Sequence, residues 1–412
     1  MTDIKKRRRL YLFGGAGSLV FLGFLYGWSI LAAPLQAEFG WTSAQTSLVF
    51  AVTTAMFSVG GVLGAQFSRL FSPQRALALC ALLVGAGYGF SALVTADSIQ
   101  ILHLTYGVLV GTGSGAALNA VMGMVTRWFP DRPGAATGSL SFGFGIGSLA
   151  LGWAVSLVIG ALGWRAAFIA LGAVTAGVTL AASFFLALPA PGQVLPAPPP
   201  PKGAAADLGG GLELTTGQML RQPVFYIVFL VSVLFACIYL GIMGNAKQMA
   251  VEAGATLFLA TMAVGAVSLG DGISRLTSGF FFDRFGYRIS FFVIAACFLA
   301  APLTLFAAFS FGSLPLVFGG NFVLGLGFGS ISAVLAATTF RFYGAKHYAS
   351  NLGVAYMDFL PAALIGPPLV GVIETAAGSF RPAFAALGVC GLAALGLCLV
   401  IKPPRISSQL GE

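Results

Sequence analysis

The chain alternates between long apolar segments and short polar connections. Twelve apolar segments can be delimited, at 10–34, 43–68, 75–96, 99–126, 134–160, 164–188, 223–247, 256–282, 288–311, 314–340, 350–374 and 380–402. Each is about long enough to cross a bilayer as a helix, which satisfies its own backbone hydrogen bonds where water is absent. The pattern therefore predicts an all-α integral membrane protein with twelve transmembrane helices.

The composition agrees with a membrane protein and argues against other classes. Of 412 residues, 58% are hydrophobic and only 8% are charged, which is too few charges to coat a soluble domain. The net charge of +9 falls in short clusters between apolar segments, so we expect no nucleic-acid partner. The five cysteines lie inside apolar segments without metal-ligand spacing, and no catalytic motif is visible. We therefore expect no metal, no cofactor and no enzymatic activity.

Positive charges indicate the orientation. If the N-terminus is cytoplasmic, all but four of the 21 Lys and Arg residues fall on the cytoplasmic side. The exceptions are Arg165, Lys247 and Arg381 on the outer side and Arg275 inside a segment. The positive-inside rule then places both termini in the cytoplasm of a multi-pass protein of the cell (inner or plasma) membrane. The first segment is too long for a signal-peptide core, so we interpret it as a retained helix.

Residues 189–222 separate the first six apolar segments from the last six. They include PAPPPP at 196–201 and GGG at 209–211, which is typical of a flexible linker. The sequence thus predicts a first bundle at 1–188, a cytoplasmic linker and a second bundle at 223–412.

The two halves repeat each other. At an offset of 214 residues, a run of spaced glycines in the first half aligns with one in the second: Gly111, Gly113 and Gly115 with Gly325, Gly327 and Gly329. Two related six-helix bundles predict a substrate site at their interface near mid-membrane, around which the bundles rock. We therefore expect two pseudo-symmetric bundles and transport rather than catalysis.

Asp271 and Arg275 are two charges inside the apolar segment 256–282. Four residues separate them, so both side chains project from one face of a helix. Asp271 lies twelve residues from the polar end of the segment at Asp283, which corresponds to a depth of about 18 Å. Charges at that depth are costly and normally face a cavity where they have a function. The alternative is a permanent structural ion pair.

Several stretches resemble known transporters. The run GFFFDRFGYR at 279–288 resembles the conserved inner loop of the major facilitator superfamily, whereas its first-half equivalent, FSRLFSPQR at 67–75, lacks the aspartate. Within that superfamily, three features resemble the proton-linked monocarboxylate transporters and their bacterial oxalate/formate-antiporter relatives. These are the Asp271–Arg275 pair, Asn119 followed by RWFPDRPGAATG at 127–138, and GPPLVG at 366–371.

The resemblance implies the major facilitator fold and roles for individual residues. It implies that Arg275 binds a substrate carboxylate and that Asp271 takes part in proton coupling. It also implies cavity positions at Tyr26, Asn119, Phe328 and Ser332, and a cytoplasmic gating loop with Asp283, Arg284 and Arg288.

Two departures from the family bear on the substrate. Ile30 and Phe359 stand where different relatives carry a lysine. With one clear central cation, a monoanion is favoured over a dianion. Phe359, together with Tyr26 and Phe328, is a candidate for lining a small apolar pocket around a substrate methyl group.

Three polar residues in the segments have alternative interpretations. Asn119 is either a ligand donor or a helix–helix hydrogen-bonding residue. Lys247 either extends to the membrane surface or contributes a cation to the outer cavity. Asp358 is either a second proton site or an internal partner of Lys247 or Arg275.

The sequence therefore predicts a secondary transporter of small monocarboxylates such as lactate or pyruvate, coupled to protons by alternating access. Its expected partners are the anion, a proton and the lipid bilayer, and we expect it to function as a monomer. One alternative is an organic-anion exchanger of the oxalate/formate type, and another is a non-transporting membrane sensor of carboxylates. In the predicted mechanism, protonation of Asp271 releases Arg275 to bind the anion.

Overall fold

The computed structural model of the protein describes residues 2–190, 195–196, 213–344 and 346–404. Much of the predicted linker, at 191–194 and 197–212, lies outside the described residues. The described chain forms helices: α1 Thr2–Gly23, α2 Trp28–Phe39, α3 Ser43–Leu70, α4 Pro73–Ser91, α5 Ile99–Leu102, α6 Gly111–Thr126, α7 Pro133–Gly145, α8 Gly147–Phe185, α9 Thr216–Met219, α10 Pro223–Glu252, α11 Leu257–Phe311, α12 Leu314–Tyr343, α13 Tyr348–Ala355, α14 Phe359–Ala377 and α15 Arg381–Val400.

Three short segments of other helical geometry join these helices. The 3-10 turn Phe24–Gly27 links α1 to α2, and the π-helical segment His103–Val110 links α5 to α6. A second 3-10 turn, Tyr356–Asp358, links α13 to α14. Each joins two helices into one path across the membrane.

The prediction of twelve membrane crossings is confirmed. In the described part of the chain, ten helical stretches are long and apolar enough to cross a membrane. One of them, Ala135–Phe185, contains two crossings because Gly163 has φ +84° and interrupts the helix. The 19-residue α4 supplies the remaining crossing between α3 and α5. Gly286, with φ +73°, turns the chain in the same way between the two crossings of α11.

The duplication is visible in the helix contacts. Three glycines of α6 make close contacts that recur at the offset of 214 on α12. In the first bundle the contacts are Gly111 with Thr53, Gly113 with Val84 and Gly115 with Phe57. In the second bundle the equivalent contacts are Gly325 with Val267, Gly327 with Phe298 and Gly329 with Asp271. In each case a Cβ on the glycine would collide with the neighbouring helix. Small residues let membrane helices approach closely, so the repeated glycines fix the same packing in both bundles.

The two bundles hydrogen-bond to each other on one side of the membrane. Ser47 Oγ donates to Asn245 Oδ1 at 3.0 Å, and the Ala44 amide donates to Thr375 Oγ1 at 3.3 Å. The hydroxyls of Ser156 and Thr261 lie 2.8 Å apart. We call the side with the Arg- and Lys-rich connections the basic side and the other the opposite side. All three contacts lie near the opposite side. Hydrogen bonding between the bundles of the described chain is therefore concentrated on the opposite side.

We predict that Gly115→Leu destabilises the protein by about 1–3 kcal/mol, because the new side chain would meet the backbone of Phe57 in α3. Gly123→Leu, in the same helix, is the matched control, since a Cβ there meets nothing within 4 Å. Thermal unfolding of the purified protein in detergent measures both. Equal unfolding temperatures for the two variants would contradict the close packing of α3 and α6.

Candidate functional site

Asp271 and Arg275 form a two-bond ion pair on α11. Arg275 Nε donates to Asp271 Oδ1 at 2.8 Å, and Arg275 Nη2 donates to Asp271 Oδ2 at 3.2 Å. Asp271 is 0% exposed, and 13% of the Arg275 side chain is exposed. This geometry joins the planar guanidinium to both carboxylate oxygens, the strongest arrangement for such a pair. Arg275 is thus the more accessible member of a largely buried pair.

Glycines from both bundles enclose the ion pair. A Cβ on Gly145 of α7 would lie 2.8 Å from Asp271 Oδ2 and 3.1 Å from Arg275 Nε. A Cβ on Gly329 of α12 would lie 2.7 Å from Asp271 Oδ1. Ser274 Oγ donates to the Asp271 carbonyl at 3.0 Å. The first bundle therefore closes over a charge pair that belongs to the second.

Aromatic rings lie beside Arg275. Its Cζ lies 5.8 Å from the centre of the Phe328 ring, within range of a cation–π contact. The Phe328 ring stacks on Tyr239, with centres 3.5 Å apart. Tyr26 meets Tyr239 and Phe328 edge-on at 5.7 and 6.2 Å. The predicted residues Arg275, Tyr26 and Phe328 therefore lie in one place.

Two further rings complete this group. Phe144 meets Tyr26 at 5.7 Å, and Phe359 lies 6.1 Å from Phe328. We call the five rings the aromatic cluster: Tyr26, Phe144, Tyr239, Phe328 and Phe359. Tyr26 and Phe144 come from the first bundle and the other three from the second, so the cluster spans the bundle interface.

Sequence reasoning missed Tyr239, Phe144 and Gly145. Tyr239 lies in a continuous apolar run, and Phe144 is one of 37 phenylalanines, so neither residue stands out by its surroundings. The offset of 214 gave no signal either. It aligns equivalent positions of the two bundles, but it does not show which residues meet across the interface.

Asn119 and Ser332 lie in the equivalent helices of the two bundles, α6 and α12. Asn119 Nδ2 donates to the Gly61 carbonyl at 2.8 Å, and Gly61 occupies the position equivalent to Arg275 in the first bundle. The Ser332 carbonyl accepts a hydrogen bond from the Tyr356 hydroxyl at 3.0 Å. Asn119 is exposed and Ser332 is half-buried. Asn119 thus makes a helix–helix hydrogen bond while part of its side chain stays accessible.

Lys247 and Asp358 are buried without an opposite charge. Lys247 is 4% exposed and Asp358 is 5% exposed. Within the described part of the chain, neither residue takes part in an ion pair. The burial of Lys247 does not fit a side chain extended to the membrane surface. The absence of an Asp358 ion pair likewise does not fit a partnership with Lys247 or Arg275.

The predicted gating loop lies at the turn between the two crossings of α11. Arg288 Nε donates to the Tyr287 hydroxyl at 3.1 Å, and Arg284 Cζ lies 5.7 Å from the Phe285 ring. The side chain of Asp283 lies outside the described residues. In the first bundle, Arg8 forms a buried ion pair with Asp131 on the basic side, which the sequence did not indicate.

Comparison with known proteins agrees with this architecture. The family model described as Major Facilitator Superfamily matches residues 12–357 and 242–412. The chain is 26% identical over 389 residues to an "Oxalate:formate antiporter" of Oxalobacter formigenes, covering 92% of this chain and 88% of the relative. It is 28% identical over 392 residues to human "Monocarboxylate transporter 11", covering 92% and 79%. A crystal structure of a mutant of the nucleoside transporter NupG shares the fold, with a TM-score of 0.72, 14% identity and coverage of 96% and 99%.

We predict that the ion pair is energetically coupled. Asp271→Asn leaves the guanidinium without its counter-charge and should destabilise the protein by about 3 kcal/mol. Arg275→Gln should have a similar effect, whereas the double variant should lose less than the two single losses together. Thermal unfolding of the four proteins in detergent completes the cycle. Additive losses would contradict the coupling.

Proposed function

The chain belongs to the major facilitator superfamily, and from that premise we propose that it is a secondary transporter of small monocarboxylates. In this proposal lactate- or pyruvate-like anions cross together with a proton by alternating access. The names of its relatives, a monocarboxylate transporter and an oxalate:formate antiporter, support small carboxylates as the substrate class.

The observation that carries the proposal is the bidentate pairing of Arg275 with Asp271. A substrate carboxylate has the same planar shape as the Asp271 side chain and fits the same two donors. In the structure Asp271 accepts from these donors. Binding is therefore an exchange of one carboxylate for another on Arg275.

The exchange requires a proton to keep the site neutral. If the anion displaces an ionised Asp271, the site holds two carboxylates and one guanidinium, and the surplus charge is costly at mid-membrane. A proton on Asp271 removes that surplus. Burial favours the neutral form of Asp271 and Arg275 favours the ionised form, so loss of the arginine to substrate shifts Asp271 towards protonation. The anion and the proton then bind together.

The aromatic cluster accounts for a small substrate with an apolar body. Phe328 and Tyr26 present ring surface beside Arg275, where a methyl group would replace contact with water. Asn119 and Ser332, on the equivalent helices α6 and α12, are proposed as further polar contacts. Phe359 is proposed to limit the pocket on the side of α14.

The charge distribution supports a monoanion. Lys247 lies eight residues beyond Tyr239 on α10, about 12 Å along the helix axis. Tyr239 belongs to the aromatic cluster beside Arg275, so Lys247 is separated from that cluster by this distance along α10. The two carboxylates of oxalate are bonded directly to each other, so one oxalate cannot contact both Arg275 and Lys247. Lys247 is instead proposed to meet anions when the opposite side opens.

The proposed cycle moves the bundle 1–188 against the bundle 223–412, connected by the linker 189–222. We infer that the basic side is cytoplasmic, that both termini lie there and that the monomer is the working unit in the cell membrane. The hydrogen bonds of Ser47 and Ala44 to the second bundle would close the outer side in the present state. The loop with Asp283, Arg284 and Arg288 is proposed to close the inner side in the other state.

A second candidate is exchange of carboxylates without net proton movement. The similarity to the oxalate:formate antiporter favours it, and so does the buried second cation Lys247. An exchanger would be stimulated by carboxylate on the far side of the membrane and would not respond to an imposed pH gradient.

We predict that Arg275→Gln abolishes pH-driven uptake of labelled lactate and pyruvate into proteoliposomes. Arg275→Lys should retain at most a small fraction, because an ammonium keeps the charge but not the planar pair of donors. Acetate and oxalate, measured in parallel, define the substrate class. Uptake by the glutamine variant equal to that of the wild type would refute the assignment of Arg275.

We also predict that Asp271→Asn separates exchange from net uptake. Asparagine cannot release a proton or neutralise Arg275 in the empty carrier, so net uptake down a pH gradient should fall at least tenfold. Exchange of internal for external lactate should persist, because the anion itself neutralises Arg275 in both directions. Undiminished pH-driven uptake by this variant would remove Asp271 from the coupling mechanism.

A further inference from the structure

Asp358 is a second buried carboxylate, and it lies in the second bundle. It ends the 3-10 turn Tyr356–Asp358, which interrupts the path from α13 to α14 within the candidate membrane span Ser350–Ala377. A short 3-10 stretch inside a longer helix often marks a functional hinge. The position therefore combines a buried acid with a local tightening of the helix.

No cation neutralises this carboxylate in the described part of the chain. The guanidinium of Arg275 is taken by Asp271. Asp358 lies beside Ser232 of α10, and Lys247 is fifteen residues further along that helix, about 22 Å away. Of the ionisable groups around it, Tyr356 is on its own turn, and Tyr356 also lies within electrostatic range of Tyr348 on α13 and Arg275 on α11. An ionised Asp358 would thus be an unpaired charge in an apolar region, so the carboxyl group is neutral in this state.

Its surroundings suit a neutral acid. The nearest polar groups are the hydroxyl of Ser232 and the amide of Phe359. Ser232 Oγ is buried and has no hydrogen-bond partner in the described part of the chain. A protonated carboxyl on Asp358 can donate to this hydroxyl, which would give it a partner. These neighbours suit a proton, and among the described residues no group of side chains that could hold a metal ion is found.

The same element must change its surroundings when the bundles move. Towards its end, α14 packs against the first bundle, with Gly371 against Ser43 and Ala44 and with Thr375 bonded to Ala44. At its beginning, Phe359 touches Phe328 of the aromatic cluster. In the proposed cycle, movement of the bundles breaks the contact of α14 with α3 and changes the access of water to Asp358. A carboxyl that water reaches from one side of the membrane in one state and from the other side in the next can carry a proton across once in each cycle.

We propose that Asp358 carries a second proton, so that one monocarboxylate crosses with two protons and net transport moves one positive charge. This inference rests on the proposed transport function. Asp271 binds and releases its proton as the anion binds and leaves. Asp358 binds and releases its proton as water gains and loses access to α14. The balance is one anion and two protons taken from one side and released on the other.

The test is the voltage dependence of uptake in proteoliposomes with a fixed pH gradient and a potassium–valinomycin potential. With two protons, an inside-negative potential of about 59 mV raises the equilibrium accumulation of labelled lactate about tenfold. Asp358→Asn should still accumulate lactate from the pH gradient, but its accumulation should not change with potential. Asp358→Glu, which restores a carboxyl group, should restore the voltage dependence.

The outcomes separate this inference from the proposed function. Wild-type accumulation that follows the pH gradient but ignores the potential would overturn the second proton and leave the transport function intact. Voltage-dependent accumulation by Asp358→Asn would move the second proton to another residue. If both Asp358 variants lost lactate exchange as well, the residue would be structural and the inference wrong. No uptake by the wild type would instead refute the transport function itself.

Discussion

The arrangement of this protein depends on keeping the charge of Arg275 neutralised inside the membrane. An uncompensated guanidinium at the centre of a helix in the bilayer costs about 3 kcal/mol by insertion measurements, and the aspartate one turn away removes that cost. The pair also needs to be dry, because water would weaken the attraction between its members. Gly145 and Gly329 allow helices from both bundles to approach the pair, and the Phe328 ring lies beside Arg275. The need to keep this one charge paired and dry thus explains why glycines and a phenylalanine lie around it at the bundle interface.

The two bundles repeat the same fold, but only the second carries the ion pair. Gly115 and Gly329 make the same close helix contact in the two bundles, yet the residue contacted is Phe57 in the first bundle and Asp271 in the second. The positions equivalent to Arg275 and Asp271 therefore hold Gly61 and a phenylalanine, and Asn119 bonds to the carbonyl of Gly61. The first bundle contributes shape and ring surface to the site, whereas the second contributes charge. A single cation facing an apolar wall suits one carboxylate on a small apolar body.

The contacts between the bundles link this site to movement. Hydrogen bonds from Ser47 and Ala44 join the bundles on the opposite side, and α14, which makes one of these contacts, begins directly after Asp358 with Phe359. In the proposed cycle, a change in the α3–α14 contact would therefore act on both the second buried acid and the aromatic cluster through one helix. A helix that contacts two sites can couple them when it moves.

The twelve crossings, the duplication and the central ion pair follow from the amino-acid sequence alone, because transfer of apolar residues into lipid and the spacing of charges on one helix are local properties. The break between the fifth and sixth segments near Gly163 was predicted, but the 3-10 turn at Tyr356–Asp358, which itself contains no glycine or proline, was not. The packing of the two bundles brings Tyr26 and Phe144 to Tyr239 and Phe328, and it buries Lys247 and Asp358 without an ion-pair partner among the described residues. The aromatic contacts join residues from opposite halves of the chain, and their formation depends on how two bundles pack, which no local pattern of residues specifies.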